Sequence, residues 1–150
     1  MEELNLEVRR YQNAQDEFDD AASARLGINR TDQRCLDILD MHGQMTAGQL
    51  AAESGLSTGA VTTLLDRLER AGYVQRVRDT VDRRRVLVEM TDEARARAWE
   101  IWGPIAEEAN AWMKNYSDAE LVFLLGFLKG SQEFLARHRA RITKKPSAAG

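Results

Sequence analysis

One stretch of the chain, residues 45–91, constrains the fold more than any other. Its sequence is MTAGQLAAESGLSTGAVTTLLDRLERAGYVQRVRDTVDRRRVLVEMT. Apolar residues recur with helical spacing in two short segments and then alternate, as they do in a hairpin of strands. This order is typical of a helix-turn-helix followed by a β wing. We therefore predict a mainly α fold with a small β wing, and we expect this stretch to bind DNA.

Local signals set the limits of the two short helices. Thr46 and Gln49 form a capping box that opens the first helix, which should run through residue 53. Gly55 supplies the turn, and Ser57 caps a second helix that should end near residue 71, before Gly72. Helical spacing places four aliphatic residues of this second helix on its inward face: Val61, Leu64, Leu65 and Leu68.

The opposite face of the second helix is poor in charge and rich in short hydroxyl side chains. Such side chains can reach bases or phosphates in a major groove, and a glycine among them permits close approach of the backbone. The alternative is that the threonines are ordinary polar helix surface. The predicted recognition residues are Ser57, Thr58, Gly59, Thr62, Thr63 and Arg67.

The predicted wing has strands over residues 73–78 and 85–90 and a turn at 79–82. Three adjacent arginines at its tip should meet phosphates or enter a narrow minor groove. Asp82 is close enough to Arg84 in sequence to orient its guanidinium. A solvated charge run is the alternative, although three neighbouring arginines repel one another unless an anion receives them. The wing residues predicted to contact DNA are Asp82, Arg83, Arg84 and Arg85, and those predicted to contact the DNA backbone are Thr46, Arg76 and Arg78.

The formal net charge of −3 does not by itself indicate a nucleic-acid binder. The charge is unevenly distributed, however, because residues 67–85 hold seven arginines against three acidic residues. The acidic excess lies in the first helix, at Glu2, Glu3, Glu7, Asp16, Glu17, Asp19 and Asp20. Since local potential decides phosphate binding, the basic segment remains a candidate DNA contact.

Helical segments flank this central stretch. Residues 3–25 carry a sparse apolar stripe, which fits either an arm packed on its own domain or a dimerisation arm. Asn29 should cap a second helix, with Asp32 completing a capping-box-like arrangement, and this helix should end at His42-Gly43. Cys35 lies beside its apolar face, where a buried core residue is favoured over a redox-sensing thiol.

Further helices follow the wing. Thr91 should cap a helix in which Gly103-Pro104 introduces a kink or an interruption. Ser117 and Glu120 form a capping box that opens the last helix, through about residue 139. We predict one domain over residues 1–150. Its parts are a DNA-binding lobe at about 29–91, helical arms at 1–26 and 92–140, and a flexible tail at 141–150.

Several classes of protein are not favoured by the sequence. The N-terminal MEELNLEVRR has no apolar run behind its charges, so we expect no signal peptide. The longest apolar run, LVFLLGFL, is too short to cross a membrane. We therefore expect a cytoplasmic location. A single cysteine and two histidines make a poor metal-ligand set, and we expect no cofactor. No catalytic constellation supports an enzyme.

The segment LDRLERAGYVQRVRDTVDRRRVLVEMTDEA resembles the winged-helix core of the MarR (multiple antibiotic resistance regulator) family. The wing motif of that family appears as Asp82-Arg83-Arg84, and INRTDQRCLDIL resembles the helix before the core. The resemblance implies an obligate homodimer, joined by its first and last helices, that binds a pseudo-palindromic operator. It implies Arg84 as the wing arginine, with Asp82 as its orienting partner, and residues 57–67 as the recognition positions. Family members commonly bind small aromatic or phenolic ligands between the dimer arms and the DNA-binding lobe.

On this resemblance the chain is expected to be a repressor that a small-molecule effector releases from its operator. Candidate effector-pocket residues are Tyr11, Phe18, Trp99 and Trp102, although aromatic residues at helical spacing more often form interface core. The alternative function, from a different class, is a winged-helix protein-interaction module that does not bind DNA.

Overall fold

The structure is a computed structural model that describes residues 1–143. Six helices and two strands follow one another along this part of the chain. The helices are α1 (Glu2–Leu26), α2 (Arg30–His42), α3 (Ala47–Ser54), α4 (Thr58–Arg70), α5 (Asp92–Met113) and α6 (Asp118–Thr143). The strands are β1 (Val74–Arg78) and β2 (Val86–Met90), which lie between α4 and α5. The predicted mainly α architecture with a small β wing is confirmed.

The predicted helix caps are largely confirmed, because their hydrogen bonds span only three residues. Thr46 and Gln49 form the capping box of α3, and Ser117 and Glu120 form that of α6. The Ser57 hydroxyl accepts from the backbone N–H of Ala60 at 3.2 Å. These side chains satisfy N–H groups that the first helical turn leaves without partners.

Gly55, in the turn between α3 and α4, has a φ of +73°, in the left-handed region that disfavours a side chain. A substitution there would strain the turn, so the backbone conformation requires glycine at this position, in agreement with the turn predicted there. The turn holds α3 and α4 close together, as a helix-turn-helix requires.

The core lies where α2, α3, α4 and the strands meet. Leu39, Leu50, Leu65 and Leu68 are almost completely buried there. Val61 and Leu64 are buried as well, which confirms the predicted inward face of α4. Cys35 is fully buried among these aliphatic side chains, as favoured from the sequence. This core fixes α4 with its opposite face turned to solvent.

The two strands form an antiparallel hairpin. Their register pairs Val74 with Met90 at the base and Arg78 with Val86 near the tip. Val74, Val88 and Met90 are buried, so the base of the hairpin is part of the core. An additional bridge between Met45 and Val88 joins the hairpin to the segment before α3. The wing is therefore anchored at its base, and its tip extends into solvent.

Three local expectations need correction. Asn29 caps α2 as predicted, but the Asp32 side chain does not complete a capping box, because its carboxylate is buried and bonds to Arg67 of α4. Of the kink or interruption expected at Gly103-Pro104, the interruption is wrong, because α5 continues through Pro104. Residues 141–143, which were expected to belong to a flexible tail, form the last turn of α6, and residues 144–150 of that expected tail lie outside the described residues.

Contacts divide the chain into two compact units. The first comprises Met1–Pro104 and contains α1 to α4, the wing and the first part of α5. The second begins at Ile105 and contains the end of α5 and all of α6. In the first unit, Trp99 packs over Gly103, where an added Cβ would lie 2.8 Å from the indole ring. The glycine next to Pro104 therefore makes room for this tryptophan.

Candidate nucleic-acid interface

The exposed face of α4 carries the predicted recognition residues. Ser57, Thr58, Gly59, Thr62 and Thr63 are all exposed. A Cβ added at Gly59 would meet nothing within 4 Å in the described chain, so the fold does not itself require a glycine here. A residue without a side chain at an exposed position of a helix leaves space for another molecule to approach the backbone.

The threonine hydroxyls on this face donate to carbonyls of their own helix. Thr62 Oγ1 donates to the carbonyl of Thr58 at 3.0 Å, and Thr63 Oγ1 donates to that of Gly59 at 3.2 Å. Each hydroxyl oxygen keeps accepting capacity, and each methyl group is an apolar contact surface. In a major groove such groups can accept from cytosine or adenine amino groups or pack on a thymine methyl.

Arg67, the sixth predicted recognition residue, is engaged with the protein core. Its Nε donates to Asp32 Oδ2 at 2.9 Å, and its Nη2 donates to Asp32 Oδ1 at 2.5 Å. The Asp32 side chain is 2% exposed, whereas that of Arg67 is 47% exposed. The hydrogen bonds with Asp32 raise the pKa of the Arg67 guanidinium above its ordinary value. This pairing, between residues 35 positions apart, was not predicted.

Arg76, a predicted backbone contact, is likewise paired within the protein. Its guanidinium donates to Asp66 Oδ1 at 2.6 Å and to Glu69 Oε2, both on α4. The hydrogen bond with Asp66 is the main cause of a raised pKa for Arg76. Arg76 therefore joins β1 to α4, so that the wing and the recognition helix are held together by charge as well as by the core.

The turn of the wing is held by two aspartates that accept from its backbone. Asp79 Oδ1 accepts from the N–H groups of Val81 at 2.8 Å and Asp82 at 3.3 Å. Asp82 Oδ1 accepts from the N–H of Arg84 at 3.1 Å. The interpretation that Asp82 orients a guanidinium is therefore corrected, because its short side chain reaches the backbone two residues on. The bonds to Val81 and Asp82 are the leading reason that the pKa of Asp79 lies below its ordinary value.

The arginines of the wing differ in their partners. Arg85 Nη1 lies 3.7 Å from Asp79 Oδ2, a long ion pair. Within residues 1–143, Arg78, Arg83 and Arg84 form no salt bridge, and all three are exposed. Their charges are available to an anion. The third predicted backbone contact, Thr46, has its hydroxyl engaged in the capping box of α3.

The candidate effector residues are only partly brought together. Phe18 and Trp102 meet edge to face, with ring centroids 6.3 Å apart. Tyr11 and Trp99 are 67% and 63% exposed. Three clefts in residues 1–143 have volumes of about 310, 340 and 680 Å³, and none of the four aromatic residues lines them. The support for an effector site from these four residues is thus the contact between Phe18 and Trp102.

Two further observations concern other classes of protein. In the described range 1–143, no group of three or more histidine, cysteine or acidic side chains is arranged to hold a metal ion. None of the helices described is both long enough and apolar enough to cross a membrane.

The arrangement of α3, α4 and the anchored hairpin defines a winged helix-turn-helix protein. A family model described as the MarR family matches residues 28–86. An uncharacterized HTH-type transcriptional regulator of Bacillus subtilis, YcgE, is 37% identical over 125 residues, which cover 83% of this chain and 81% of that protein. The chain belongs to the MarR family of transcriptional regulators, which, as predicted, are not enzymes.

Two other comparisons are informative. The HTH-type transcriptional repressor YetL of Bacillus subtilis is 35% identical over 77 residues, covering 51% of this chain and 46% of that protein. The crystal structure of a mutant MarR from E. coli complexed with operator DNA has a TM-score of 0.56. It is 23% identical and covers 85% of this chain and 92% of that chain. At that identity the likeness shows the fold.

Proposed function

We propose that this protein is a homodimeric repressor that binds a pseudo-palindromic operator through α4 and the wing. The observation that carries the proposal is the presence of unpaired arginines at the wing tip beside an exposed hydroxyl-bearing face of α4. A positively charged hairpin next to a recognition helix suits one minor groove and the adjoining major groove. A repressor and an operator complex among the similar proteins support the same reading.

The residues divide by role in this proposal. Ser57, Thr58, Thr62 and Thr63 contact base edges or nearby phosphates, and Gly59 allows the backbone to approach. Arg83 and Arg84 enter the minor groove or bind its phosphates, with Arg78, Arg85 and Thr46 at the backbone. Arg67 and Arg76 can add contacts only through the parts of their guanidinium groups that the ion pairs leave exposed.

The proposal of a dimer rests on exposed apolar surface. None of the residues Asp118–Thr143 of α6 is buried. Its large apolar side chains instead face solvent, which is expected of a helix that packs against another chain. The most exposed of them are Val122, Phe123, Leu125, Leu128, Phe134, Leu135 and Ile142. On α1, Leu4, Leu6 and Tyr11 are exposed in the same way. We assign both surfaces to a second copy of the chain, since a two-fold operator requires a two-fold protein.

Release by a small aromatic or phenolic effector completes the proposal. The contact between Phe18 of α1 and Trp102 of α5 is the part of the described structure that supports it. An aromatic ligand that enters between such rings would change their packing and the emission of Trp102. Titration of the protein–operator complex with phenolic acids should then quench tryptophan fluorescence and release DNA at the same ligand concentrations. Quenching without release would contradict effector control.

The decisive experiment measures the affinity of the protein, across a salt series, for a duplex taken from the DNA upstream of its own gene. A dimer that neutralises about 6–10 phosphates should lose roughly three to five decades of affinity between 50 and 200 mM salt. Arg84→Ala should weaken binding to all duplexes and lower the salt slope of the dimer by about two, one for each protomer. The matched control is Arg95→Ala, which removes the same charge from the start of α5, where Arg95 pairs with Asp40.

A flat salt response, or an Arg84→Ala variant that binds like the Arg95→Ala variant, would contradict DNA binding by the wing. The alternative, a winged-helix module for protein partners, predicts that a partner still binds after the Arg84→Ala change. A protein that elutes as a monomer would contradict the dimer.

A further inference from the structure

The buried polar side chains of the described chain are concentrated at one place. Four polar residues are buried in it, and three of these either lie in the first turn of α2 or bond to it. They are Ser23 of α1 and Asp32 and Gln33 of α2, each less than 5% exposed. All buried side-chain polar atoms of the described residues have a hydrogen-bond partner. The first turn of α2 is thus a fully satisfied polar junction within an otherwise apolar core.

This junction bonds to α1 on one side. Ser23 Oγ donates to Gln33 Oε1, and Gln33 Nε2 donates to Asp19 Oδ1 at 3.2 Å. Arg30, also in the first turn of α2, pairs with three carboxylates of α1. The distances are 3.3 Å to Asp16, 2.9 Å to Asp19 and 3.2 Å to Asp20. The start of α2 is therefore held firmly against the C-terminal half of α1.

On its other side the junction bonds to α4 through Asp32 alone. Both carboxylate oxygens of Asp32 accept from Arg67, one from Nε and one from Nη2. Two parallel bonds between planar groups fix an angle as well as a distance. An apolar pair of similar volume would often stabilise a core equally well. The contribution of this ion pair is therefore the relative orientation that it fixes between the two helices more than the stability that it adds.

We propose that Asp32 is a positioning residue for the recognition helix. Through the bidentate bond to Arg67 it sets the orientation of α4 relative to α2 and α1, on which reading of the operator depends. Asp32 is 1% exposed and cannot itself touch DNA. Asp32 can therefore affect DNA binding only through other residues, and the bonded partner of its carboxylate is Arg67 of α4. This inference rests on the proposed function.

The test compares Asp32→Asn with Asp40→Asn. Both substitutions remove one negative charge from α2, but Asp40 is exposed and pairs with Arg95 of α5 instead of with α4. Binding is measured to an operator duplex selected from random sequences and to a scrambled duplex of the same length, each across a salt series. We expect Asp32→Asn to bind the operator roughly tenfold more weakly than Asp40→Asn, about the loss caused by one wrong base pair. Binding to the scrambled duplex and both salt slopes should be the same for the two variants.

A second variant keeps the test independent of how well Asp32→Asn folds. Arg67→Lys retains the charge at a half-exposed position but loses the bidentate bond. It should lose operator affinity to a similar extent, and the double variant Asp32→Asn/Arg67→Lys should be no worse than either single one. Additive losses would overturn the proposal, because Arg67 would then act on DNA independently of Asp32.

Two other results would also overturn it. One is equal operator binding by Asp32→Asn and Asp40→Asn. The other is tighter binding of Asp32→Asn to both duplexes with a salt slope steeper by about two, which would mean that Asp32 withholds one phosphate contact per protomer from DNA. If the unsubstituted protein binds neither duplex, the proposed function fails instead, so the two failures are distinguishable.

Discussion

Arg67 of α4 and Asp32 of α2 form a bidentate ion pair, with the carboxylate buried and the guanidinium half exposed. The two residues differ in burial, because only the aspartate is removed from solvent. Removing Arg67 strands a buried charge, whereas removing the charge of Asp32 frees a guanidinium that solvent can reach. The pair therefore has consequences for stability that depend on which residue is changed.

We predict that Arg67→Ala lowers the free energy of unfolding by about 2–3 kcal/mol, at or below the lower end of the roughly 3–5 kcal/mol range for breaking a buried pair, because Arg67 is half exposed. The control is Arg70→Ala, three residues along the same helix, whose guanidinium bonds to the carbonyl of Asp66 and to no other group within residues 1–143. That change should cost less than about 0.5 kcal/mol. Urea unfolding at fixed protein concentration measures both, and equal midpoints would refute the prediction.

For the wing turn, we predict a change in DNA affinity opposite to the one that counting charges would give. Asp79 lies beside the basic tip, so its removal would increase the positive charge that DNA meets. Its carboxylate, however, holds the N–H groups of Val81 and Asp82. We therefore expect Asp79→Ala to weaken DNA binding, because a disordered hairpin must be ordered again on binding. Asp79→Asn, which keeps an accepting oxygen, should bind at least as tightly as the unsubstituted protein.

The pH dependence of this turn follows from the lowered pKa of Asp79. A lowered pKa in the folded state means that the stabilisation is complete above the ordinary value of 3.8 and is lost as pH falls through the lower, folded value. The protection of the Val81 and Asp82 amides against exchange, measured relative to an unstructured peptide at the same pH, should thus persist at pH 4 and be lost only in stronger acid. Loss of this protection between pH 5 and 4 would contradict the assigned bonds.

Much of the fold could be predicted from the sequence because its determinants are local. The boxes Thr46–Gln49 and Ser117–Glu120 join residues three apart, and Gly55 marks a turn by its own backbone. The pairing of Asp32 with Arg67 could not be predicted in this way. An aspartate in the first turn of a helix is already explained by the helix dipole, so nothing in the sequence points to a partner 35 residues away.

The positions of the site residues could be predicted from the sequence more readily than their hydrogen-bond and ion-pair partners. The exposed face of α4 and the arginines of the wing lie where the sequence pattern placed them. Whether a charged side chain is paired or free depends on tertiary contacts. Arg76 is the clearest case, because Asp66 and Glu69 come within its reach only after β1 packs beside α4. Asp82 was assigned the wrong partner for a different reason, since the sequence alone does not distinguish a bond to the backbone N–H two residues on from a bond to the guanidinium of that residue.

The buried thiol gives a prediction about reactivity. Burial raises the pKa of Cys35 above its ordinary value of 9.0, and the neighbouring carboxylate of Asp32 raises it further. The thiol is therefore protonated at neutral pH, and the thiolate that reacts with disulfides is scarce. An aromatic disulfide reagent at pH 7.5 should modify the native protein more slowly than the urea-unfolded chain by roughly a hundredfold or more, since reaction requires the core to open.

The rate for the native protein should increase with pH and should not level off below 9.0, because the thiolate fraction grows until the pKa is passed and burial keeps the folded pKa above that value. Cys35→Ser, which keeps the size but not the reactivity, should remove the signal and leave DNA binding unchanged. Rapid modification of the native protein at pH 7.5, accompanied by loss of DNA binding, would instead indicate a redox-sensing thiol.

The apolar surface of α6 supports a prediction about assembly. Phe123 and Phe127 are one helical turn apart and are 72% and 49% exposed, so their rings lie on one side of the helix. If this surface packs against a second copy of the chain, the double substitution Phe123→Glu/Phe127→Glu should place four like charges in the dimer interface. Burying such charges without partners is strongly unfavourable, and the dimer should dissociate. Light scattering would then give the mass of a monomer, half that of the unsubstituted protein.

The control is Met41→Glu, at the end of α2, where the side chain is 74% exposed and lies outside α6. It should leave the mass unchanged. The α6 variant should also bind a duplex with a single half-site as well as it binds the full operator, because each monomer retains its own α4 and wing but no longer spans two half-sites. A variant that stays dimeric would show that this pair of phenylalanines lies outside the interface, and retained preference for the full operator would show the same for DNA-bound protein.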